Sequence, residues 1–195
     1  MVPRSTRIKI CGVREPATVL AAAEAGADAI GLVVVEGSPR QVTIKEAQRV
    51  VAATPAFVEA VALFVNTPVD EVRRVANVLG IRTVQLHGDE SPHDVAALEP
   101  LRVIKAVSLT DADSAPAQLA AWRGLSNLAG LLFDTPPHAE QLPGGSGRTF
   151  DWRTFTLLRD RGALNSLAPI ILAGGLNAQN VAEAIRIVHP FAVDV

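Results

Sequence analysis

The stretch RIKICGVREPATVLAAAEAGADAIGLVVV, residues 7–35, contains two apolar runs with a helical pattern between them. The first run covers residues 7–10. The second, residues 29–35, is rich in β-branched residues and includes a glycine, which is typical of a buried parallel strand. The helical pattern covers residues 15–25 and stops at Gly26, because glycine commonly follows the last turn of a helix. The stretch therefore predicts a strand, a helix and a second strand.

The same unit recurs along the rest of the chain. Six further apolar runs follow, each after a helical pattern, at residues 58–65, 83–86, 103–107, 128–133, 169–172 and 191–195. The helical patterns before them cover residues 43–53, 68–79, 92–98, 112–122, 151–161 and 177–188, and the second helix begins with a Thr43–Glu46 capping box.

Strict alternation of strands and helices predicts a parallel sheet with helices packed outside it. The compact repeat favours a closed (β/α)8 barrel of the TIM type over an open doubly wound sheet. No GxGxxG motif follows the first strand, which also argues against a dinucleotide-binding sheet. We therefore predict an α/β fold with eight parallel strands in a single barrel domain over residues 1–195.

The composition excludes several classes of function. Of the 195 residues 49% are hydrophobic, and the formal net charge is -2 with no basic stripe, so we expect no nucleic acid and no membrane surface as a partner. The apolar runs are too short to span a bilayer, and the N-terminus lacks the apolar core of a signal peptide. One cysteine cannot form an internal disulfide, which favours the cytoplasm, and the four histidines lack metal-ligand spacing.

Two residues at predicted strand ends can carry acid–base chemistry, because active sites of such barrels lie at the carboxyl ends of the strands. Cys11 is either a small buried side chain or a thiolate base whose pKa is lowered by nearby cations. Asp134 either caps the following loop or is a general acid whose pKa is raised by apolar neighbours. The functional interpretation predicts a thiol and a carboxyl group facing each other across one barrel mouth.

Glycine-rich turns suggest a phosphate site near the same mouth. One cluster follows the sixth strand and consists of Gly144, Gly145, Ser146 and Gly147. The other is Gly174 and Gly175, after the seventh strand and before a helix that we expect Asn177 to cap. Backbone N–H groups in such turns and at helix N-termini converge on anions, and phosphate sites near the last strands are common in these barrels.

Three further polar residues are candidates for substrate binding or for a structural role. Arg40 is either a solvated surface side chain or a fork for a substrate carboxylate. His87 is either held by protein neighbours at its strand end or contacts the substrate. Lys9 shares a strand face with Cys11, so we expect it to point into the barrel as a structural residue paired with Asp194 or Gln85.

The chain resembles the phosphoribosylanthranilate isomerases of tryptophan biosynthesis. The similar segments follow the family's order and lie at residues 9–12, 26–31, 38–40, 64–66, 84–88, 103–106, 133–135, 144–152, 173–177 and 190–195. This resemblance implies an Amadori rearrangement of N-(5'-phosphoribosyl)anthranilate without a cofactor or metal. It implies that Asp134 is the general acid and Cys11 the general base, that Arg40 contacts the anthranilate carboxylate, and that the two glycine clusters hold the phosphate. We also predict His87 and Asp194 as substrate-binding residues.

Two alternatives stay open at this point. The related phosphoribosyl isomerase of histidine biosynthesis performs the same rearrangement, but it has an aspartate where Cys11 stands. In the family, the segment matching residues 193–195 continues into a Ser-Ser-Gly phosphate loop and a final helix. We therefore expect a barrel truncated after strand eight, which is either active alone or works only with a partner. The sequence leaves open whether the protein is a monomer or a homodimer.

Overall fold

The computed structural model of the chain describes residues 5–108, 113–134 and 152–195. Within these ranges, strands and helices alternate as predicted. The strands are β1 (Arg7–Cys11), β2 (Ala29–Val33), β3 (Glu59–Phe64), β4 (Thr83–Leu86), β5 (Arg102–Val107), β6 (Leu128–Phe133), β7 (Ile170–Leu172) and β8 (Ala192–Asp194). The helices are α1 (Pro16–Glu24), α2 (Ile44–Ala53), α3 (Val69–Leu79), α4 (Pro92–Ala97), α5 (Ala115–Ala120), α6 (Arg153–Asp160) and α7 (Val181–Val188).

The strands form a closed barrel in sequence order, which confirms the predicted fold class. Every neighbouring pair is parallel, including the pair of β1 with β8 that closes the ring. At this seam Lys9 lies opposite Asp194. Because the barrel is closed and parallel, all carboxyl ends of the strands meet at one rim.

The apolar core has two layers. The larger layer lies between the strands and the surrounding helices, and its largest fully buried side chains include Phe64 and Phe155. The smaller layer fills the barrel interior and consists of Val61, Ile104, Ala106, Leu132, Ile171, Ala173 and Ala192. No helix in the described ranges combines the length and the apolar character needed to cross a membrane.

Two helix starts show how well local sequence predicts boundaries. Thr43 and Glu46 form the predicted capping box before α2, with each side chain bonded to the other residue's backbone N–H. The prediction for the seventh helix was wrong, because α7 begins at Val181 after Asn180 and not at Asn177. The Asn177 side-chain oxygen accepts a hydrogen bond from the Gln179 backbone N–H, and the Asn177 backbone N–H donates to the side-chain oxygen of Asn180. These bonds form a turn ahead of the helix.

Candidate active site

The carboxyl-terminal rim of the barrel gathers four of the predicted site residues. Cys11 and Asp194 are the last residues of β1 and β8, whereas His87 and Asp134 directly follow β4 and β6. Cys11 is partly buried, and both carboxylates are more than nine-tenths buried. The rim therefore carries a thiol, an imidazole and two carboxyl groups in a region largely protected from solvent.

His87 lies between Gln85 and Asp134 in a hydrogen-bonded chain. The Gln85 Nε2 atom is 2.9 Å from His87 Nδ1, and His87 Nε2 is 3.1 Å from Asp134 Oδ2. Gln85 is fully buried inside the barrel. With the amide donating to Nδ1, a neutral imidazole holds its proton on Nε2 and donates it to the carboxylate. Gln85 thus fixes the orientation of the ring that contacts Asp134.

Lys9 and Asp194 form a buried ion pair beside the thiol. The Lys9 Nζ atom is 2.7 Å from Asp194 Oδ2, which confirms the predicted inward direction of Lys9 and one of its two expected partners. Burial lowers the pKa of Lys9, but the carboxylate of Asp194, together with Cys11 in its thiolate form, outweighs burial and raises that pKa above its ordinary value. Lys9 is therefore charged at neutral pH.

The thiol of Cys11 experiences opposing influences. Burial raises its pKa, and the carboxylate of Asp194 raises it further. The cations of Lys9 and Arg40 lower it, but the net pKa lies above the ordinary value of a cysteine. The neutral thiol therefore dominates at neutral pH, and any thiolate depends on the two neighbouring cations.

Arg40 lies in the exposed loop between β2 and α2, and its side chain crosses Gly12. A Cβ atom on Gly12 would lie only 2.6 Å from Arg40 Cδ, and Gly12 has a φ of +84°. Glycine is therefore required at this position for both space and backbone conformation. The Arg40 side chain therefore lies beside the end of β1, and its positive charge acts on Cys11, which immediately precedes Gly12.

Of the two glycine clusters predicted to bind phosphate, the structure describes one. Gly174 and Gly175 form the turn after β7 with φ values of +80° and +63°. The Gly175 carbonyl accepts a hydrogen bond from the Asn180 side chain, so the turn is tied to the residue before α7. Gly144, Gly145, Ser146 and Gly147 lie outside the described residues.

A second buried ion pair, which the sequence did not predict, joins β5 to the loop after β4. Lys105 Nζ is 3.0 Å from Glu90 Oε2 and 2.6 Å from the Gly88 carbonyl oxygen. Glu90 also accepts hydrogen bonds from the backbone N–H groups of Asn66 and Gly88. The signal was a lysine inside an apolar strand, which needs a buried anion as a partner. Among the described residues, no group of three or more His, Cys, Asp or Glu side chains could hold a metal ion.

A closed barrel of eight parallel strands with helices outside it and acid–base groups at its carboxyl rim is typical of the large class of barrel enzymes. A family model for N-(5'phosphoribosyl)anthranilate (PRA) isomerase matches residues 8–195. The N-(5'-phosphoribosyl)anthranilate isomerase of Bordetella avium is 45% identical over 97% of this chain and 84% of its own length. The enzyme of Hahella chejuensis is 43% identical over 98% of this chain and 84% of its own length.

Solved structures agree with this assignment. Phosphoribosyl anthranilate isomerase from Thermotoga maritima is 36% identical with a TM-score of 0.84, covering 98% of this chain and 87% of that chain. A phosphoribosyl anthranilate isomerase in complex with reduced 1-(o-carboxyphenylamino)-1-deoxyribulose 5-phosphate is 34% identical with a TM-score of 0.81, at the same coverage. The chain belongs to the N-(5'-phosphoribosyl)anthranilate isomerase family. It is an isomerase of tryptophan biosynthesis, which confirms the family predicted from the sequence.

Proposed function

We propose that this chain converts N-(5'-phosphoribosyl)anthranilate to 1-(2-carboxyphenylamino)-1-deoxyribulose 5-phosphate, with Asp134 as general acid and Cys11 as general base. The observation that carries this proposal is the presence of a thiol and a buried carboxyl group at one rim, after β1 and β6. The ligand of the related structure, a reduced form of this product, supports the choice of substrate.

The reaction balances without a cofactor. Asp134 donates a proton to the ring oxygen of the ribose, the bond from that oxygen to C1 breaks, and the nitrogen lone pair forms an iminium at C1. The Cys11 thiolate then removes the proton from C2, and its electron pair forms the enol. Asp134 takes the enol proton and the Cys11 thiol gives its proton to C1, which yields the ketone and restores both groups, so C2 is oxidised and C1 is reduced within one molecule.

His87 supports the acid role of Asp134. The 3.1 Å hydrogen bond between His87 Nε2 and Asp134 Oδ2 fixes the orientation of the carboxyl group at the rim. The carboxyl group is only 9% exposed and lies at the rim, where it can give its proton to the substrate and take the enol proton back when the ketone forms.

Binding of the substrate uses the remaining rim residues. The Arg40 guanidinium suits the planar carboxylate of the anthranilate group. Asp194 Oδ1 is buried and has no hydrogen-bond partner among the described residues, so a ribose hydroxyl is a suitable donor to it. The turn at Gly174 and Gly175 is the proposed phosphate site, together with residues 144–147.

A direct assay tests this proposal. Purified protein is mixed with phosphoribosylanthranilate, and substrate and product, which have the same mass, are separated by chromatography. Cys11→Ser and Asp134→Asn should each lower turnover by about 100-fold or more, because each removes one proton-transfer group. Asp160→Asn is the matched control, since Asp160 is the exposed last residue of α6, away from the rim, and should leave turnover unchanged. Near-normal turnover of either rim variant would refute its role.

A further inference from the structure

We propose that Lys9 is a positioning residue that stabilises the thiolate form of Cys11, in addition to pairing with Asp194. This inference rests on the proposed role of Cys11 as the base. Lys9 and Cys11 point to the same side of β1, two residues apart, and Lys9 is only 4% exposed. Burying an ammonium group costs free energy, and the ion pair with Asp194 alone would offset that cost. The thiol of Cys11 lies where Lys9 can also interact with it, so Lys9 has a second possible partner.

Gly31 shows how close the two groups are. It lies opposite Cys11 in the neighbouring strand β2. A Cβ atom on Gly31 would be 3.0 Å from Cys11 Sγ and also 3.0 Å from Lys9 Nζ. The thiol and the ammonium therefore border the same small space, and glycine leaves that space free of any side chain. A larger residue at this position would press against both the cation and the sulfur.

The charges around Cys11 explain why a cation is needed there. Lys9 on β1 and Arg40 in the loop after β2 are positive, whereas Asp194 on β8 is negative. Burial and Asp194 both favour the neutral thiol. Arg40 is exposed, and in the proposed reaction the substrate carboxylate neutralises it. Lys9 is then the cation that still favours the thiolate when the proton on C2 has to be removed.

The chain permits a clean measurement, because it contains one cysteine and no tyrosine. The ultraviolet absorbance of the thiolate and the rate of alkylation by iodoacetamide therefore report on Cys11 alone. In Lys9→Met, the thiolate fraction at about pH 8 should fall by about tenfold or more, because a neighbouring cation is lost. Lys45→Met, which removes an exposed lysine from α2, should leave the titration unchanged.

Lys9→Met leaves the buried Asp194 carboxylate without its cation, so a second comparison is made in variants that lack this carboxylate. Asp194→Asn should increase the thiolate fraction relative to the unmodified protein, since it removes the anion beside the sulfur. The double variant Lys9→Met with Asp194→Asn should show about tenfold less thiolate than Asp194→Asn alone. This pair measures the effect of Lys9 even when Lys9→Met does not fold.

The outcomes separate this inference from the proposed function. Unchanged thiol titration in folded Lys9→Met, or equal titration in the two Asp194→Asn backgrounds, would show that Lys9 is only a counter-ion of Asp194. A Cys11→Ser variant with normal turnover would instead remove the base role of Cys11 while leaving the effect of Lys9 on the thiol intact. With both correct, Lys9→Met also shifts the pH profile of kcat toward higher pH.

Discussion

Three glycines at the rim have neighbours that a larger residue would displace. Gly12 lies under Arg40, Gly31 borders the space between Cys11 and Lys9, and Gly88 packs against Asn66. A Cβ atom on Gly88 would lie 2.2 Å from Asn66 Oδ1, which accepts a hydrogen bond from the Asp89 N–H. These glycines therefore determine where the polar side chains of the site can lie.

Gly12→Ala tests whether Arg40 depends on such a glycine. The new methyl group would displace the Arg40 side chain, and the positive φ would be strained. We expect a loss of about 1 to 2 kcal/mol in the free energy of unfolding and a rise of about tenfold or more in KM, because the guanidinium no longer reaches the substrate carboxylate. Urea unfolding and steady-state kinetics measure the two effects.

Gly26→Ala is the control for Gly12→Ala. Gly26 has a similar φ of +93°, but nothing lies within 4 Å of the position of its Cβ atom. It should therefore lose similar stability and keep its KM. An equal rise of KM in both variants, or no rise in Gly12→Ala, would show that displacement of Arg40 does not weaken substrate binding.

The sequence predicted the positions of single rim residues better than it predicted their contacts. Strand-end position was sufficient to place Cys11 and Asp134 at one rim, and a charged side chain inside an apolar strand narrowed the partner of Lys9 to two candidates, of which Asp194 is the one found. The sequence did not pair Gln85 with His87, because that contact depends on the direction of both side chains at the end of β4. It also missed Glu90, which lies beyond the strand in the following loop.

At the level of elements, the predicted order was confirmed throughout the described ranges, because each short apolar run is flanked by local stop and start signals. Gly26 and Gly80 adopt the positive φ values that follow helix ends. The start of α7 was wrong because Asn177 has a side chain that can cap a helix or stabilise a turn. The presence of Asn180, three residues later, determines which of these occurs.

Thr43→Ala tests the capping box at the start of α2. The Thr43 hydroxyl accepts a hydrogen bond from the Glu46 N–H and donates one to the Glu46 carboxylate. The free energy of unfolding of the variant should therefore be lower by about 1 kcal/mol at neutral pH. The bond from the Thr43 N–H holds the pKa of Glu46 below its ordinary value, and the Thr43 hydroxyl lowers it further. A lowered pKa stabilises the fold above about pH 4.3, and this stabilisation is lost as the pH falls through the lowered value.

The cost of Thr43→Ala should therefore shrink in acid. Urea unfolding at neutral pH and at about pH 3 gives the comparison, with Thr43→Ser as the control that retains the hydroxyl. An equal cost at both pH values would show that the carboxylate of Glu46 takes no part in the cap.

At the scale of the whole molecule, closure of the barrel joins the two ends of the described chain. β1 pairs with β8, and the Lys9–Asp194 ion pair crosses this seam inside the barrel. The Lys105–Glu90 pair connects β5 to the loop after β4 and, through the Asn66 N–H, to the loop after β3. Lys9 points into the barrel, whereas Lys105 lies on the face of β5 opposite to Ile104 and Ala106 and points toward the surrounding helices, near Trp122. The two buried pairs therefore join neighbouring parts of the ring from its inner and its outer side.

Lys105→Met tests how strongly stability depends on such a pair. The variant leaves the Glu90 carboxylate buried with only backbone donors, so the free energy of unfolding should fall by about 3 to 5 kcal/mol. Adding Glu90→Gln should recover part of this loss, because the neutral amide no longer needs a cation. Arg74→Met is the control: its ion pair with Glu71 on α3 is exposed, so urea unfolding should detect almost no change. If Lys105→Met were as stable as Arg74→Met, the buried pair would contribute nothing to holding the rim together.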